Sequence, residues 1–276
     1  MAGQAAASTA ELEAALTTPP DPTAAAFFDV DNTVMQGASI FHLARGLHRR
    51  QFVTTKDIAK AAWDQAYFRI VGVEDPAAVT NARVSALSFI AGHRVEELQS
   101  LAEEIFDEAM SHRIWPGTRA LAQIHLDQGQ RVWLVTAAPV EIARIIAHRL
   151  GLTGALGTVA EEVDGVYTGR LTGDLLHGAA KAAAVEALAE REGLDLARCS
   201  AYSDSVNDLP MLSLVGDPCA VNPDGRLRDH ARRQGWRIRD YRTGRKAAKL
   251  GLVAAAGAGA VTGSVAAAVA LRRKIH

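Results

Sequence analysis

The stretch AAAFFDVDNT, residues 24–33, decides how the rest of the chain is interpreted. Its first half is a short apolar run, which is typical of a strand buried in a parallel sheet. Its second half is a polar turn that carries two carboxylates, Asp29 and Asp31, directly after the strand. Because sites in open α/β sheets are built at the carboxyl ends of strands, these two carboxylates are the first candidates for a functional site.

Strand and helix patterns alternate along much of the remaining chain. Strand patterns at 131–136 and 199–203 precede helix patterns, and Asp164-Gly165 among apolar residues indicates a hairpin. This alternation predicts a doubly wound, mostly parallel α/β sheet. The other segments assigned to the sheet or to its helices are 118–128, 139–150, 179–192, 220–221 and 236–238.

One long segment departs from that alternation. Residues 37–113 follow an almost continuous helical pattern, which predicts an inserted helical cap domain. We therefore expect a flexible leader at 1–22, a catalytic core at 23–36 and 114–241, the helical cap, and a tail at 242–276. A length of 276 residues suits such a core with a large insertion.

Composition places the chain among ordinary globular proteins. Apolar residues make up 49%, charged residues 22%, and the formal net charge is −1, so no nucleic-acid partner is expected. The two cysteines, Cys199 and Cys219, match neither a zinc-ligand spacing nor a disulfide framework. The first residues, 1–22, lack the pattern of a secretory signal. These features favour a cytoplasmic catalytic domain.

Four separated polar features carry candidate chemistry. Beside the first pair of carboxylates, they are Thr136 at the end of a strand pattern, Lys181 near the start of a helix pattern, and the turn SDSVNDLP at 203–210 with Asp204 and Asp208. Hydroxyl and ammonium groups at helix N-termini suit phosphate, and carboxylates suit Mg²⁺. Each feature alone has a plain alternative: a turn, a helix cap, a surface lysine or an Asx-turn.

In this order, the four features resemble the four motifs of the haloacid dehalogenase (HAD) superfamily. The resemblance extends over about residues 24–241. The helical insert, followed by the hairpin at 165–169, resembles the phosphoserine-phosphatase-like branch, subfamily IB. The resemblance implies a Rossmann-like core with a helical cap, and a phosphatase, that is, a phosphoric monoester hydrolase.

The resemblance also implies a role for each candidate residue. Asp29 would be the nucleophile that forms an aspartyl-phosphate, and Asp31 the acid/base that protonates the leaving oxygen and then activates water. Thr136 and Lys181 would bind the phosphoryl oxygens. Mg²⁺ is the implied cofactor. Its implied ligands are Asp29, the Asp31 carbonyl and Asp204, with Asp208 in support.

Two departures from the pattern of this branch bear on the substrate. Phosphoserine phosphatases have an acidic residue shortly after the first motif that pairs with the substrate ammonium, whereas residues 34–41 contain none. Thr136-Ala137-Ala138 stands where the branch has Ser-Gly-Gly. We therefore expect a small-molecule or lipid-derived phosphate rather than clearly phosphoserine. The cap residues considered for contact with the leaving group are Phe41, Trp63, Tyr67, Phe68 and Arg69.

Two further functions stay open on the sequence. A phosphotransferase or mutase would pass the same aspartyl-phosphate group to another acceptor, and a membrane-tethered binding module would need no catalysis. Residues 250–271 carry no charge, are long enough to span a bilayer, and are rich in Ala and Gly. A membrane helix and a helix lying on the protein both fit this composition. Membrane anchoring through this segment is thus an open expectation, and so is the oligomeric state.

Overall fold

Strand β1 (Ala25–Phe28) is fully buried in the middle of a parallel sheet. The other strands of this sheet are β2 (Arg131–Pro139), β3 (Gly154–Thr158), β6 (Ser200–Ser203), β7 (Asp217–Val221) and β8 (Arg237–Arg239). Their order is β3-β2-β1-β6-β7-β8, and every neighbouring pair is parallel. The predicted mostly parallel α/β sheet is therefore confirmed.

The computed structural model describes residues 21–54 and 90–242. The chain divides into two units, Met1–Arg239 and Asp240–His276, and the whole sheet lies in the first. Helices in the described part of this unit flank the sheet and connect its strands. They are α1 (Ser39–Arg49), α2 (Val95–Ile105), α3 (Pro116–Asp127), α4 (Val140–Arg149), α5 (Ala179–Glu192), α6 (Leu209–Leu212) and α7 (Gly225–Gln234).

The second strand is longer than its sequence pattern predicts. The pattern places its end at Thr136, but β2 continues to Pro139, which pairs with Thr158 of β3. The reason is local: Pro139 has extended backbone angles (φ −53°, ψ 138°), so α4 starts only at Val140. Strand β3 itself was not predicted, because its sequence GALGT has little strand propensity.

The predicted hairpin is confirmed as β4 (Ala160–Val163) and β5 (Val166–Leu171), which pair antiparallel. Its two turn residues, Asp164 (φ 52°) and Gly165 (φ 74°), both have left-handed backbones, as a two-residue type I′ turn requires. The edge of β5 that faces away from β4 bonds to the cap, since the amide of Gly92 donates to the carbonyl of Tyr167 at 2.8 Å.

The inserted segment leaves the core and returns to it at adjacent points. The amide of Gln36 donates to the carbonyl of Arg113, and the amide of Trp115 donates to the carbonyl of Val34, both at 2.9 Å. Within the insert, α1 and α2 are in close contact at Gly46. A π-helical turn (Phe106–Met110) and a 3-10 turn (Ser111–Arg113) lead back to the core.

Several predictions of the sequence fall outside the described residues. Among them are most of the leader at 1–22, the middle of the cap with Trp63, Tyr67, Phe68 and Arg69, and the uncharged segment 250–271. The domain boundaries therefore stay predictions. Across residues 21–54 and 90–242, no helix is long and apolar enough to cross a membrane.

Two glycines near the sheet offer a matched test of core packing. A Cβ at Gly216, before β7, would lie 1.9 Å from the carbonyl oxygen of Ala197, whereas a Cβ at Gly225, in the first turn of α7, would meet open space. Gly216→Ala should destabilise the fold by about 1–3 kcal/mol because backbone must move. Gly225→Ala should leave stability unchanged or slightly raised. Melting temperatures measured by circular dichroism would contradict this packing if the two variants melted together.

Candidate active site

Asp29 is the first residue beyond β1, at the carboxyl edge of the sheet. Its amide donates to the carbonyl of Tyr202 on β6 at 2.9 Å, which continues the pairing between the two strands. The ring of Tyr202 stacks on that of Phe28 with centroids 4.2 Å apart. Asp29 is only 5% exposed, so strand pairing and packing hold its carboxylate in a buried position.

Lys181 in the first turn of α5 reaches the same position. Its Nζ donates to Asp29 Oδ1 at 2.6 Å and to Asp208 Oδ2 at 2.8 Å. The hydroxyl of Ser203 donates to that same oxygen of Asp208 at 2.7 Å. Lys181 is 3% exposed, which excludes the alternative of a surface lysine. The structure thus brings Asp29, Lys181 and Asp208 into direct contact.

The carboxylates at this edge outnumber the cation that compensates them. Burial raises the pKa of Asp29 to about 7; Lys181 lowers it, and the neighbouring carboxylates Asp208 and Asp31 raise it. Burial, followed by the charges of Asp29 and Asp208, raises the pKa of Asp204 to about 8. Burial lowers the pKa of Lys181, but the two carboxylates beside it raise that pKa above its usual range.

This excess of negative charge fits a divalent cation. Asp29 and Asp204 would supply carboxylate oxygens, and the carbonyl of Asp31 lies on the same loop as Asp29. Mg²⁺ takes one or two protein carboxylates and completes its shell with water and phosphate oxygens. In the part of the chain that the structure describes, no three His, Cys, Asp or Glu side chains are grouped to hold a metal. A site with two carboxylates does not need such a group.

Asp31 lies on the loop that leads from β1 into the cap. Its Oδ1 accepts a hydrogen bond from the amide of Ser39 at 2.8 Å, and Ser39 is the first residue of α1. A carboxylate at a helix N-terminus is favoured by the free amides there. The half-buried Asp31 carboxylate is therefore held by the backbone at the start of α1, the first helix of the cap.

Thr136 lies inside β2 and not at a helix start. It is 1% exposed, and its hydroxyl accepts a hydrogen bond from the amide of Ala138 at 3.1 Å. The helix-cap alternative is therefore wrong, because α4 begins at Val140. Since Leu134 pairs with Phe28 of β1, Thr136 lies at the carboxyl edge where Asp29 also lies.

Four residues that hold the site were missed in the sequence. Ser203 contacts Asp208, and the backbone of Ser39 contacts Asp31. Asn222 and Asp224, which follow β7, bond to the loops after β1 and β6. The only signal at 222–224 is Asn-Pro-Asp, which on its own indicates a turn.

Known proteins resemble this chain along most of its length. The family model of haloacid dehalogenase-like hydrolases matches residues 26–213. Phosphoserine phosphatase SerB1 of Mycobacterium tuberculosis is 57% identical over 93% of this chain and 83% of its own length. The probable phosphatase Rv3661 of the same species is 32% identical over 81% of this chain and 77% of its own length.

Solved structures show the same architecture. A Bordetella pertussis protein of unknown function is 28% identical with a TM-score of 0.69, over 81% of this chain and 99% of its own. A phosphoserine phosphatase with a phospho-aspartyl intermediate analogue is 19% identical with a TM-score of 0.55, over 80% of this chain and 96% of its own. This similarity supports the fold alone. The chain belongs to the haloacid dehalogenase-like hydrolase family and is a phosphatase of its phosphoserine-phosphatase-like branch.

Proposed function

We propose that this phosphatase is a Mg²⁺-dependent phosphomonoester hydrolase that works through an aspartyl-phosphate on Asp29. The observation that carries the proposal is the buried contact of Lys181 Nζ with Asp29 Oδ1, at 2.6 Å. A buried ion pair adds little to stability compared with apolar side chains of similar volume. The ammonium has a clear use, however, if a phosphoryl group arrives at Asp29, because it offsets the charge on the phosphoryl oxygens.

In the first half-reaction, a carboxylate oxygen of Asp29 forms a bond to phosphorus while the bond from phosphorus to the ester oxygen breaks. Asp31 gives its proton to the departing oxygen. Lys181 and Thr136 hold the phosphoryl oxygens in line for the attack. Mg²⁺, held by Asp29, Asp204 and the Asp31 carbonyl, would supply charge that reduces the repulsion between nucleophile and ester.

In the second half-reaction, Asp31 takes a proton from water, and the water oxygen bonds to phosphorus. The bond from phosphorus to Asp29 breaks, so the free carboxylate and inorganic phosphate are produced and one water is consumed. The amide of Ser39, 2.8 Å from Asp31 Oδ1, holds the same carboxylate for both steps. A phosphotransferase would differ only in that an alcohol, in place of water, attacks the phosphorus in this step. Formation of a new phosphate ester when alcohols are added would reveal such an activity.

The proposal also includes the chemical class of the leaving group. The relative SerB1 is named a phosphoserine phosphatase. In this chain, however, residues 34–41 offer no acid to pair with an ammonium. Val34 and Met35 are buried there, and the amide of Ser39 is engaged by Asp31. We therefore propose a small phosphomonoester with a neutral or apolar leaving group, since an unpaired ammonium beside this segment would be costly to desolvate.

Replacing the nucleophile tests the chemistry. Asp29→Asn should lower hydrolysis of p-nitrophenyl phosphate by at least about a thousandfold, because an amide cannot form the acyl phosphate. Asp127→Asn is the matched control, since Asp127 is exposed on α3 and its carboxylate accepts a hydrogen bond from the side chain of Gln123. Activity of Asp29→Asn within tenfold of the control variant would show that Asp29 is not the nucleophile.

Removing Mg²⁺ at two pH values tests the metal. In the metal-free fold, the raised pKa values of Asp29 (about 7) and Asp204 (about 8) mean that the folded state binds more protons than the unfolded chain. Stability should therefore fall as pH rises from about 4 to about 8. Mg²⁺ needs the deprotonated carboxylates, so it should raise the melting temperature more at pH 8.5 than at pH 5.5.

The control for this measurement is Asp204→Asn, which keeps the shape of the side chain but removes its charge. It should lose most of the rise in melting temperature that Mg²⁺ causes, and EDTA should stop turnover of the unsubstituted protein. A rise of equal size at both pH values, or one that persists in Asp204→Asn, would speak against magnesium at these carboxylates.

The choice of leaving group can be measured with two esters of similar length. We expect kcat/KM for n-propyl phosphate to exceed that for O-phospho-L-serine by about tenfold or more, because only the second must bring an ammonium to residues 34–41. Phosphate release by the two esters, each with Asp29→Asn as the blank, gives the ratio. A preference for phosphoserine would place an ammonium partner elsewhere in the site.

A further inference from the structure

A short segment after β7 contacts the loop that carries Asp29 and Asp31. Asn222 is fully buried, and its Nδ2 donates to the carbonyl of Asn32 at 2.9 Å. Because β6 lies between β1 and β7 in the sheet, this bond crosses over the carboxyl end of β6. The backbone of Asn222 is left-handed (φ 48°), which aims its side chain back across the sheet edge and is tolerated best by Asn, Asp and Gly.

The same segment also holds the loop that carries Asp204. The amide of Asp224 donates to the carbonyl of Asp204 at 2.8 Å, and Asp224 Oδ2 accepts from the amide of Val206 at 2.9 Å. Its other oxygen, Oδ1, accepts from the amide of Leu227 at 2.7 Å and so caps α7. Asp224 therefore joins the Asp204 loop to the start of a helix.

This segment is itself attached to the edge of the sheet. The amide of Asn222 donates to the carbonyl of Arg239 at the end of β8, at 2.7 Å. The loop after β1 has a second anchor from the other direction, since the hydroxyl of Thr118 on α3 donates to the carbonyl of Thr33 at 2.8 Å. Both catalytic loops are thus fixed by groups that come from separate parts of the fold.

We propose that Asn222 and Asp224 form a brace, residues 222–224, that sets the position of the Asp29–Asp31 loop relative to the Asp204 loop. Asn222 is then a positioning residue for the acid/base Asp31, and Asp224 is one for the metal ligand Asp204. The inference rests on the proposed function for those roles. The contacts that carry it are the three bonds to Asn32, Asp204 and Val206.

The first arm of the test measures proton transfer to the leaving group. Asn222→Gly keeps the left-handed backbone but removes the donor. Loss of a well-placed acid should lower kcat/KM for n-propyl phosphate by about thirtyfold or more, since the alkoxide needs a proton. For p-nitrophenyl phosphate, whose leaving group is stable as an anion, we expect a loss of about threefold or less. Asp31→Asn removes the acid itself and should therefore give the largest difference between the two esters in loss of kcat/KM.

The second arm measures metal binding without turnover. Asp224→Ala should lose at least about half of the rise in melting temperature caused by Mg²⁺, because the Asp204 loop loses its side-chain bond at Val206 and keeps only the backbone bond to residue 224. Asp224→Asn keeps one acceptor oxygen, which can serve Leu227 at the helix cap or Val206 but not both, so it should lose a smaller part of that rise than Asp224→Ala. Gly225→Ala, the neighbouring residue with open space around it, should match the unsubstituted protein in both arms.

The outcomes separate the brace from the proposed function. If Asn222→Gly lowered kcat/KM equally for both esters, Asn222 would have only a folding role. If Asp224→Ala kept the full rise in melting temperature caused by Mg²⁺, the positioning role of Asp224 would be wrong. If the unsubstituted protein hydrolyses neither ester, the proposed function is wrong, and the melting measurements alone decide whether the brace holds the Asp204 loop.

Discussion

The charge balance around one buried ammonium is the constraint on which the rest of the structure depends. Lys181 touches Asp29 and Asp208, and Asp204 is close enough for its pKa to respond to all three. Buried like charges are tolerated only where partners are fixed in place, and removing one partner of such a set typically costs about 3–5 kcal/mol. The parallel order that sets β1 beside β6 brings these groups together, so sheet topology and chemistry cannot vary independently.

Much of this arrangement is predictable because its signals lie close together in the sequence. The apolar run before Asp29 predicts a buried strand, and Asp164-Gly165 predicts the two-residue turn, since each depends on adjacent residues. Lys181 is a different case. Its local pattern allows a surface lysine, and only its order among the other motifs predicts a place in the site, which its burial then supports.

Features that depend on distant partners were not predictable. The sequence of β3 gives no strand signal, and Gly154 is tolerated there because the ring of Trp133 fills the place where a side chain would be. Residues 222–224 indicate a turn, and nothing local shows that Asn222 bonds to Asn32 across an intervening strand. The bonds that Asp208 accepts from Lys181 and Ser203 likewise join groups whose contact no local pattern indicates.

The adjacent exit and return of the inserted segment have a consequence for how such an enzyme can diverge. Gln36 and Arg113 are joined by a backbone hydrogen bond, so the core closes this gap by itself. Lengthening or replacing the chain between two such fixed points adds little entropy cost, about 0.6 kcal/mol for each doubling of a flexible loop. The part of the insert beyond α1 can therefore change in length or sequence while Ser39, at the start of α1, keeps its bond to Asp31.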